Sequence, residues 1–175
     1  MSVEFEITVR ELKDRQDIYD CLVRYCRGLD RRDRELLASA YHADALDDHG
    51  FFVGSVQALI DWVFPINERN YQSTQHFIAN HSCELDGDTA HTETYFFFTG
   101  LSRKAPFYAT STGRYIDRFE RRAGRWAIAA RLCITETLGD RDDLSALSRF
   151  VPGAPNPADP SYQRPLSVDP SRLTR

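Results

Sequence analysis

Two residues in this chain carry the side-chain chemistry for proton transfer at neutral pH. Asp30 lies within the stretch Tyr25–Asp33 (YCRGLDRRD), just past the end of a long amphipathic helix, and His76 lies further on in a run with strand-like alternation. A neutral imidazole titrates near physiological pH, so it can take up a proton and return it. A carboxylate bonded to one ring nitrogen fixes the tautomer and stabilises the imidazolium, leaving the other nitrogen as a base. If Asp30 and His76 meet in an aromatic pocket, they can abstract a proton next to a carbonyl, or couple that step to loss of water or halide. The developing oxyanion or leaving group then needs a donor. Tyr25, Tyr41 and Tyr115 are phenols that can donate inside an apolar cavity. Asn80 would share the strand face of His76, two pleats on. Arg131 is a candidate anchor for an anionic group, and Trp62, Phe96 and Phe98 are candidate pocket wall.

Each of these residues also has a purely structural reading. An aspartate after a helix often bonds the backbone of the next element, here around Arg32–Asp33. A single strand histidine is more often a satisfied interior side chain, and Tyr25 fits a core stripe. Asp117, between Tyr115 and Phe119, is either a second acid or the partner of an arginine, and His91 is a further candidate for a second acid or base. The histidines His42, His49, His76, His81 and His91, with Asp47 and Asp48, raise the question of a metal site. No two-histidine helical spacing is present, and His76 and His81, five apart on one strand, are expected on opposite faces. No metal and no other cofactor is expected. No glycine-rich loop follows a strand, so nucleotide binding has no support.

The elements that must position these residues read as follows. Thr8 and Glu11 resemble a capping box, starting a helix over about Val9–Gly28. Its Ile18, Leu22, Tyr25 and Leu29 form one apolar stripe, and Gly28 loosens its end. Asp33 caps a short helix to Ala40. Tyr41–Val53 starts the sheet, with Asp48-His49-Gly50 as a turn or bulge. A helix over Ser55–Asn67 follows, ending near Pro65. Four long strands come next, Ser73–Leu85, Thr89–Leu101, Phe107–Arg121 and Trp126–Leu138. They are joined by turns at Asp86-Gly87, Ser102–Pro106 and Arg122-Ala123-Gly124. Along the third strand Ala109, Tyr115, Asp117 and Phe119 should face inward. Long strands without intervening helices make the sheet antiparallel, and the whole is α+β. Asp140–Phe150 reads as a short helix. Residues 1–150 form a single domain, and 151–175 (VPGAPNPADPSYQRP onward) are a Pro-rich extended tail that wraps a neighbouring subunit, lids the pocket or hangs free.

Composition bounds the partners. The 175 residues include 42% hydrophobic side chains, with 11 Phe and 8 Tyr, enough for a packed core. Net charge is −4 and the pI is near 5.7, with basic residues interleaved among acidic ones, so no nucleic-acid face is expected. No run approaches the ~18 apolar residues of a membrane span. Cys21, Cys26, Cys83 and Cys133 form no CxxC pair and read as free thiols in the cytoplasm.

Tyr25-Cys26-Arg27-Gly28-Leu29-Asp30, Gln75-His76-Phe77-Ile78-Ala79-Asn80, Asp86-Gly87-Asp88-Thr89-Ala90 and Gly113–Arg122 leading to Gly124-Arg125-Trp126 together resemble the nuclear transport factor 2-like superfamily. Within it, they resemble the SnoaL-like branch, over about residues 10–138. The pattern is most similar to the scytalone dehydratase, bile-acid dehydratase and hexachlorocyclohexane dehydrochlorinase group. The resemblance implies a cone-shaped fold, a curved antiparallel sheet packed by three N-terminal helices around a deep pocket. It implies an Asp30–His76 dyad with Tyr25 beside it, no cofactor and a homo-oligomer, trimer or dimer. One departure stands out. The strand after the hairpin carries Tyr95-Phe96-Phe97-Phe98 where some of these lyases place a second acid or histidine.

The function expected is therefore a cofactor-independent lyase, a dehydratase first, or an isomerase or cyclase, acting on a small hydrophobic cyclic molecule, polycyclic or aromatic. The alternatives are a non-catalytic small subunit of a ring-hydroxylating dioxygenase and a ligand-binding module, neither of which needs a paired Asp30 and His76. An epoxide hydrolase of this fold would use an Asp–Arg–Asp set, for which Asp30, Asp117 and Arg131 are available, but it leaves His76 without a role.

Overall fold

The computed structural model describes residues 3–104, 108–139 and 148–174. Helix α1 (Val3–Arg31) begins well before the expected start, and Thr8 lies inside it rather than capping it. Extending a formed helix costs far less than nucleating one, so the favourable sequence upstream of Val9 joins the same helix although Phe5, Ile7, Val9 and Leu12 stay exposed. Ile18, Leu22, Tyr25 and Leu29 are buried as one stripe. The helix closes with a Schellman motif. Asp33 N–H donates to Gly28 O at 2.9 Å and Arg32 N–H to Leu29 O at 3.2 Å, with Arg32 left-handed at φ 53°. Asp30 thus sits in the last turn of α1, not past its end. Gly28 does not loosen the helix. A Cβ there would come within 2.7 Å of the Leu37 backbone nitrogen, so glycine lets α2 (Arg34–Ser39) lie directly on α1. Asp33 caps α2 by accepting from Leu36 N–H at 2.9 Å.

Strand β1 (Tyr41–Asp48) leads through a tight turn to β2 (Val53–Ser55), and Ser55 caps α3 (Val56–Asn70). The helix runs through Pro65 rather than ending there. Proline removes one internal hydrogen bond, and the buried Phe64 and Asn67 on either side keep the helix seated. Strands β3 (Tyr71–Asp86), β4 (Thr89–Ser102), β5 (Tyr108–Arg122) and β6 (Arg125–Leu138) form a meander. The β5–β6 loop has Ala123 and Gly124 at φ 50° and 77°, the two left-handed residues a tight hairpin needs.

The six strands order as β2-β1-β6-β5-β4-β3. One pair departs from the antiparallel expectation, because β1 runs parallel to β6. The hairpin argument governs only strands joined by short loops. Strand β1 arrives from the helical layer and joins the far side of the meander. The three helices pack on the concave face of this curved sheet, and the main core lies between them. On β5, Ala109, Tyr115, Asp117 and Phe119 are buried toward that face, and the other face is covered as well. Ile116, Leu132 and Ile134 lie under Leu166 and Val151, and Val53 and Ala130 lie under Val168.

The Pro-rich segment therefore packs along the outer face of its own sheet. Arg114 makes a two-pronged pair with the buried Asp159, at 3.1 and 3.0 Å. Arg118 donates to Leu166 O at 3.0 Å, Arg172 reaches Asp48, and Thr174 N–H donates to Val53 O at 2.7 Å. Most of the helix expected over Asp140–Phe150 falls on residues 140–147, which lie outside the described residues, as do residues 105–107, where the Ser102–Pro106 turn is expected to pass into the third strand. All four cysteines are free thiols.

The Asp159 carboxyl is held far below the usual carboxylate range: burial raises its pKa, but bonds from Arg114, Ala154 and Ser161 outweigh that. A carboxyl depressed in the native state adds stability that is complete above the unfolded pKa, about 3.9, and is lost as pH falls further. Asp159→Asn should lower stability by about 1.5–3 kcal/mol at pH 7. In thermal unfolding across pH, the gap between wild type and variant should be full at neutral pH and close in strong acid.

Candidate active site

Asp30 and His76 meet. Thr74 and His76 alternate on the concave face of β3, opposite the last turn of α1, and all three of their donors converge on one carboxylate. His76 Nδ1 lies 2.6 Å from Asp30 Oδ1, His76 N–H donates to Oδ2 at 2.9 Å, and Thr74 Oγ1 donates to Oδ1 at 3.1 Å. The carboxylate can only accept, so Nδ1 carries the proton and Nε2 is the basic nitrogen. Among the described residues Nε2 has no hydrogen-bond partner. Both side chains are nearly buried, 11% and 14% exposed.

His76 opens on a cavity of about 220 Å³. Its walls are chiefly aromatic and aliphatic. Trp62, Phe96, Phe98 and Phe150 line it, Phe98 packs on the His76 ring at 4.9 Å, and Phe96 stacks on Tyr115 at 4.5 Å. Tyr25 and Tyr115 line it too, and burial pushes both phenols well above their usual pKa, so they are neutral donors. Larger hollows on the outer face lie along the tail and carry no such pair.

The matching family model is that of the SnoaL-like domain, and it covers residues 10–132. The chain belongs to this family. Solved structures agree on the fold. The LinA crystal structure superposes with a TM-score of 0.71 at 18% identity, covering 85% of this chain and 99% of LinA. A scytalone dehydratase-like protein of Novosphingobium aromaticivorans gives 0.70 at 19%, covering 78% and 93%. The type-3 hexachlorocyclohexane dehydrochlorinase of Novosphingobium barchaimii gives 0.67 at 20%, covering 83% and 99%. No curated protein matches by sequence.

Three residues expected at the pocket of this SnoaL-like domain lie elsewhere. Asn80 is exposed, because β3 carries a bulge between Ile78 and His81 that reverses the alternation. The same bulge turns His81 onto the face of His76, where its Nδ1 pairs with Thr94 Oγ1 at 2.9 Å and burial lowers its pKa. Among the described residues, no group of three or more His, Cys, Asp or Glu side chains is arranged to hold a metal ion. Tyr41 is buried behind the wall and donates to Asp47 at 2.5 Å. Arg131 sits opposite Asp117, both fully buried, with two bonds of 2.7 Å, so it does not reach the cavity to hold an anion. Its guanidinium lies between the rings of Tyr25 and Tyr115, at 4.0 and 4.1 Å, the cation–π seat that its unbonded Nη1 requires. His91 points to the outer face near Arg118 and Arg164.

The residue that sequence reasoning passed over is His49. From the sequence it reads only as part of a turn and as a possible metal ligand, yet it lines the cavity. Its Nδ1 is bonded to the fully buried Asp47, and its Nε2 lies 3.0 Å from the Tyr25 hydroxyl. The signal was there in Asp47-Asp48-His49-Gly50. β1 ends at Asp48 and His49 follows it directly, so the pleat that turns Asp47 inward leaves the His49 ring on the same side, placed to pair. Gly50, at φ 68°, supplies the turn and lies under the Phe150 ring, where a Cβ would clash at 2.6 Å.

Breaking the buried pair by Arg131→Met leaves Asp117 uncompensated and should cost about 3–5 kcal/mol in urea unfolding, whereas adding Asp117→Leu should restore a large part of the loss.

Proposed function

We propose that this SnoaL-like domain is a cofactor-independent lyase, a dehydratase acting on a small hydrophobic cyclic molecule. The observation that carries this reading is the Asp30–His76 dyad, with Nε2 unbonded and turned to an aromatic cavity. The cavity volume of about 220 Å³ favours a mono- or bicyclic molecule over a larger polycyclic one, since sites for drug-sized ligands run from about 300 to 1,000 Å³. A β-hydroxy ketone on such a ring has the right chemistry. His76 Nε2 takes the proton next to the carbonyl, the C–H electron pair becomes the new double bond, and the C–O bond breaks with its pair leaving on oxygen. Asp30 stabilises the imidazolium that forms. The neutral phenols of Tyr25 and Tyr115 are donors for the charge that develops on oxygen. The kinship with dehydrochlorinase and scytalone dehydratase-like structures is consistent with elimination. The isomerase alternative uses the same base and returns the proton to another carbon.

The test is a panel of monocyclic and bicyclic β-hydroxy ketones, followed by the absorbance of the conjugated enone. Wild type should turn over at least one. His76→Gln and Asp30→Asn should each lower kcat by about 10²–10⁴-fold with circular dichroism unchanged. Binding without turnover would replace the lyase by a ligand-binding module, and equal activity in the variants would remove the dyad from the chemistry.

A further inference from the structure

The cavity has a second titratable system on the wall opposite the dyad. His76 stands on the edge strand β3, and His49 follows β1, with β4, β5 and β6 between these strands in the sheet order. The curvature brings both rings to one cavity. His49 is braced from behind and in front. Asp47 binds Nδ1 with one oxygen and takes the Tyr41 hydroxyl on the other at 2.5 Å. Burial raises the Asp47 pKa, but His49, Arg131 and Tyr41 hold the carboxyl below its usual range, so it is a carboxylate. On the cavity side Nε2 meets the hydroxyl of Tyr25, itself in the lining. Asp47, His49 and Tyr25 thus form a continuous chain from a buried carboxylate to a phenol on the cavity wall. The remaining groups around His49 are accounted for. Tyr115 of β5 lies 6.0 Å from its ring, Cys133 of β6 is a neutral buried thiol, the Arg131 charge is matched by Asp117, and Asp48 is engaged by Arg172 of the tail and by Gly50 N–H.

We infer that Asp47–His49–Tyr25 is a proton relay that delivers an acid proton into the cavity, opposite the base His76. The inference deepens the lyase reading and rests on it for the reaction. In the charged form His49 Nδ1–H donates to Asp47 and Nε2–H donates to the Tyr25 oxygen, which frees the Tyr25 proton to point at the leaving oxygen. As the C–O bond breaks, Tyr25 gives its proton to that oxygen and His49 Nε2 replaces it. The C–H proton is now on His76 and the leaving group departs as water. Release of one proton from His76 and uptake of one by His49 restores the starting state. Tyr25 touches the substrate, and His49 and Asp47 are positioning residues that act through it. The aromatic run Tyr95–Phe98 lacks a second acid because the second acid comes from the other side of the cavity.

The test needs no natural substrate. The probe is 4-nitrophenol, coloured only as its anion and small enough for the cavity. Its ionisation when bound to wild type should occur at lower pH than in free solution, because the relay donates to the phenolate oxygen. His49→Gln and Tyr25→Phe should each raise that ionisation by about one pH unit, tenfold in the ratio of anion to phenol. Combining them should add nothing further, because they act through one chain. Asp47→Asn should give a shift in the same direction. A merely structural His49 would change affinity or melting and leave the bound ionisation in place. Absence of probe binding to wild type, an unshifted ionisation in His49→Gln, or additive effects of the two variants would each overturn the relay. Turnover of the β-hydroxy ketone panel is scored separately, so a dead panel with a shifted probe removes the lyase and leaves the relay standing.

Discussion

The buried Asp117–Arg131 pair is the constraint around which the molecule is arranged. Two opposed charges at about 4 Å attract by only ~4 kcal/mol at an effective dielectric of 20, and each costs several kcal/mol to dehydrate. The pair therefore adds little net stability, but once buried it dictates its surroundings. It locks β5 to β6 in register, Asp117 opposite Arg131. Its guanidinium then demands electron-rich faces, which Tyr25 from α1 and Tyr115 from β5 provide. Tyr25 is fixed in turn relative to the sheet, and with it the last turn of α1 that carries Asp30. The charge also helps keep Asp47 ionised beside the same cavity. One ion pair, fully buried behind the cavity lining, sets the position of groups on both walls.

Those walls differ in character. The Asp30–His76 wall is made by a helix end meeting a strand, with a carboxylate saturated by three donors and a ring nitrogen left over. The Asp47–His49 wall is made within four consecutive residues, where strand pleat and a glycine turn do the placing. The tail reinforces it from outside, since Arg172 holds Asp48, next to Asp47. A segment that reads as an appendage in the sequence is thus part of the scaffold of the site.

How far the sequence shows this depends on the kind of signal. The four long strands and the buried stripe of α1 are periodic over many residues, and their limits fall within a few residues of expectation. Turn chemistry at Asp86-Gly87 and Ala123-Gly124 was equally plain. The parallel β1–β6 pair was not legible, because no short loop records it. Asp30 and His76 could be joined only through resemblance, since nothing local links two residues on different elements. Asn80 and His81 were assigned to the wrong faces because a bulge is one residue that breaks the period and leaves no mark in composition. His49 was missed for the opposite reason, as its turn-like neighbours disguised a strand-face pair. Arg131 reads as a possible ligand anchor because Asp117 offers itself both as an acid and as an arginine's partner, and nothing local sets it opposite Arg131 across the ladder.

The β3 bulge also determines what kind of change this strand can absorb. Before it, even-numbered residues such as Thr74, His76 and Ile78 face the helices; after it, odd-numbered ones do, His81, Cys83 and Leu85. The strand is in effect two rulers joined out of phase by one extra residue. Substitution at Ala79 or Asn80 touches little, since both side chains are in solvent. Deletion of either would remove the extra residue and bring the rulers into phase, with every residue from there to the hairpin keeping its face and its β4 partner. The stretch is permissive to changes of residue type and to loss of its one extra residue, whereas a one-residue deletion elsewhere in β3 would turn side chains onto the wrong face. Two homologous chains could differ here in letters, and by one residue in length, and still match the same β3 and β4 residues on either side.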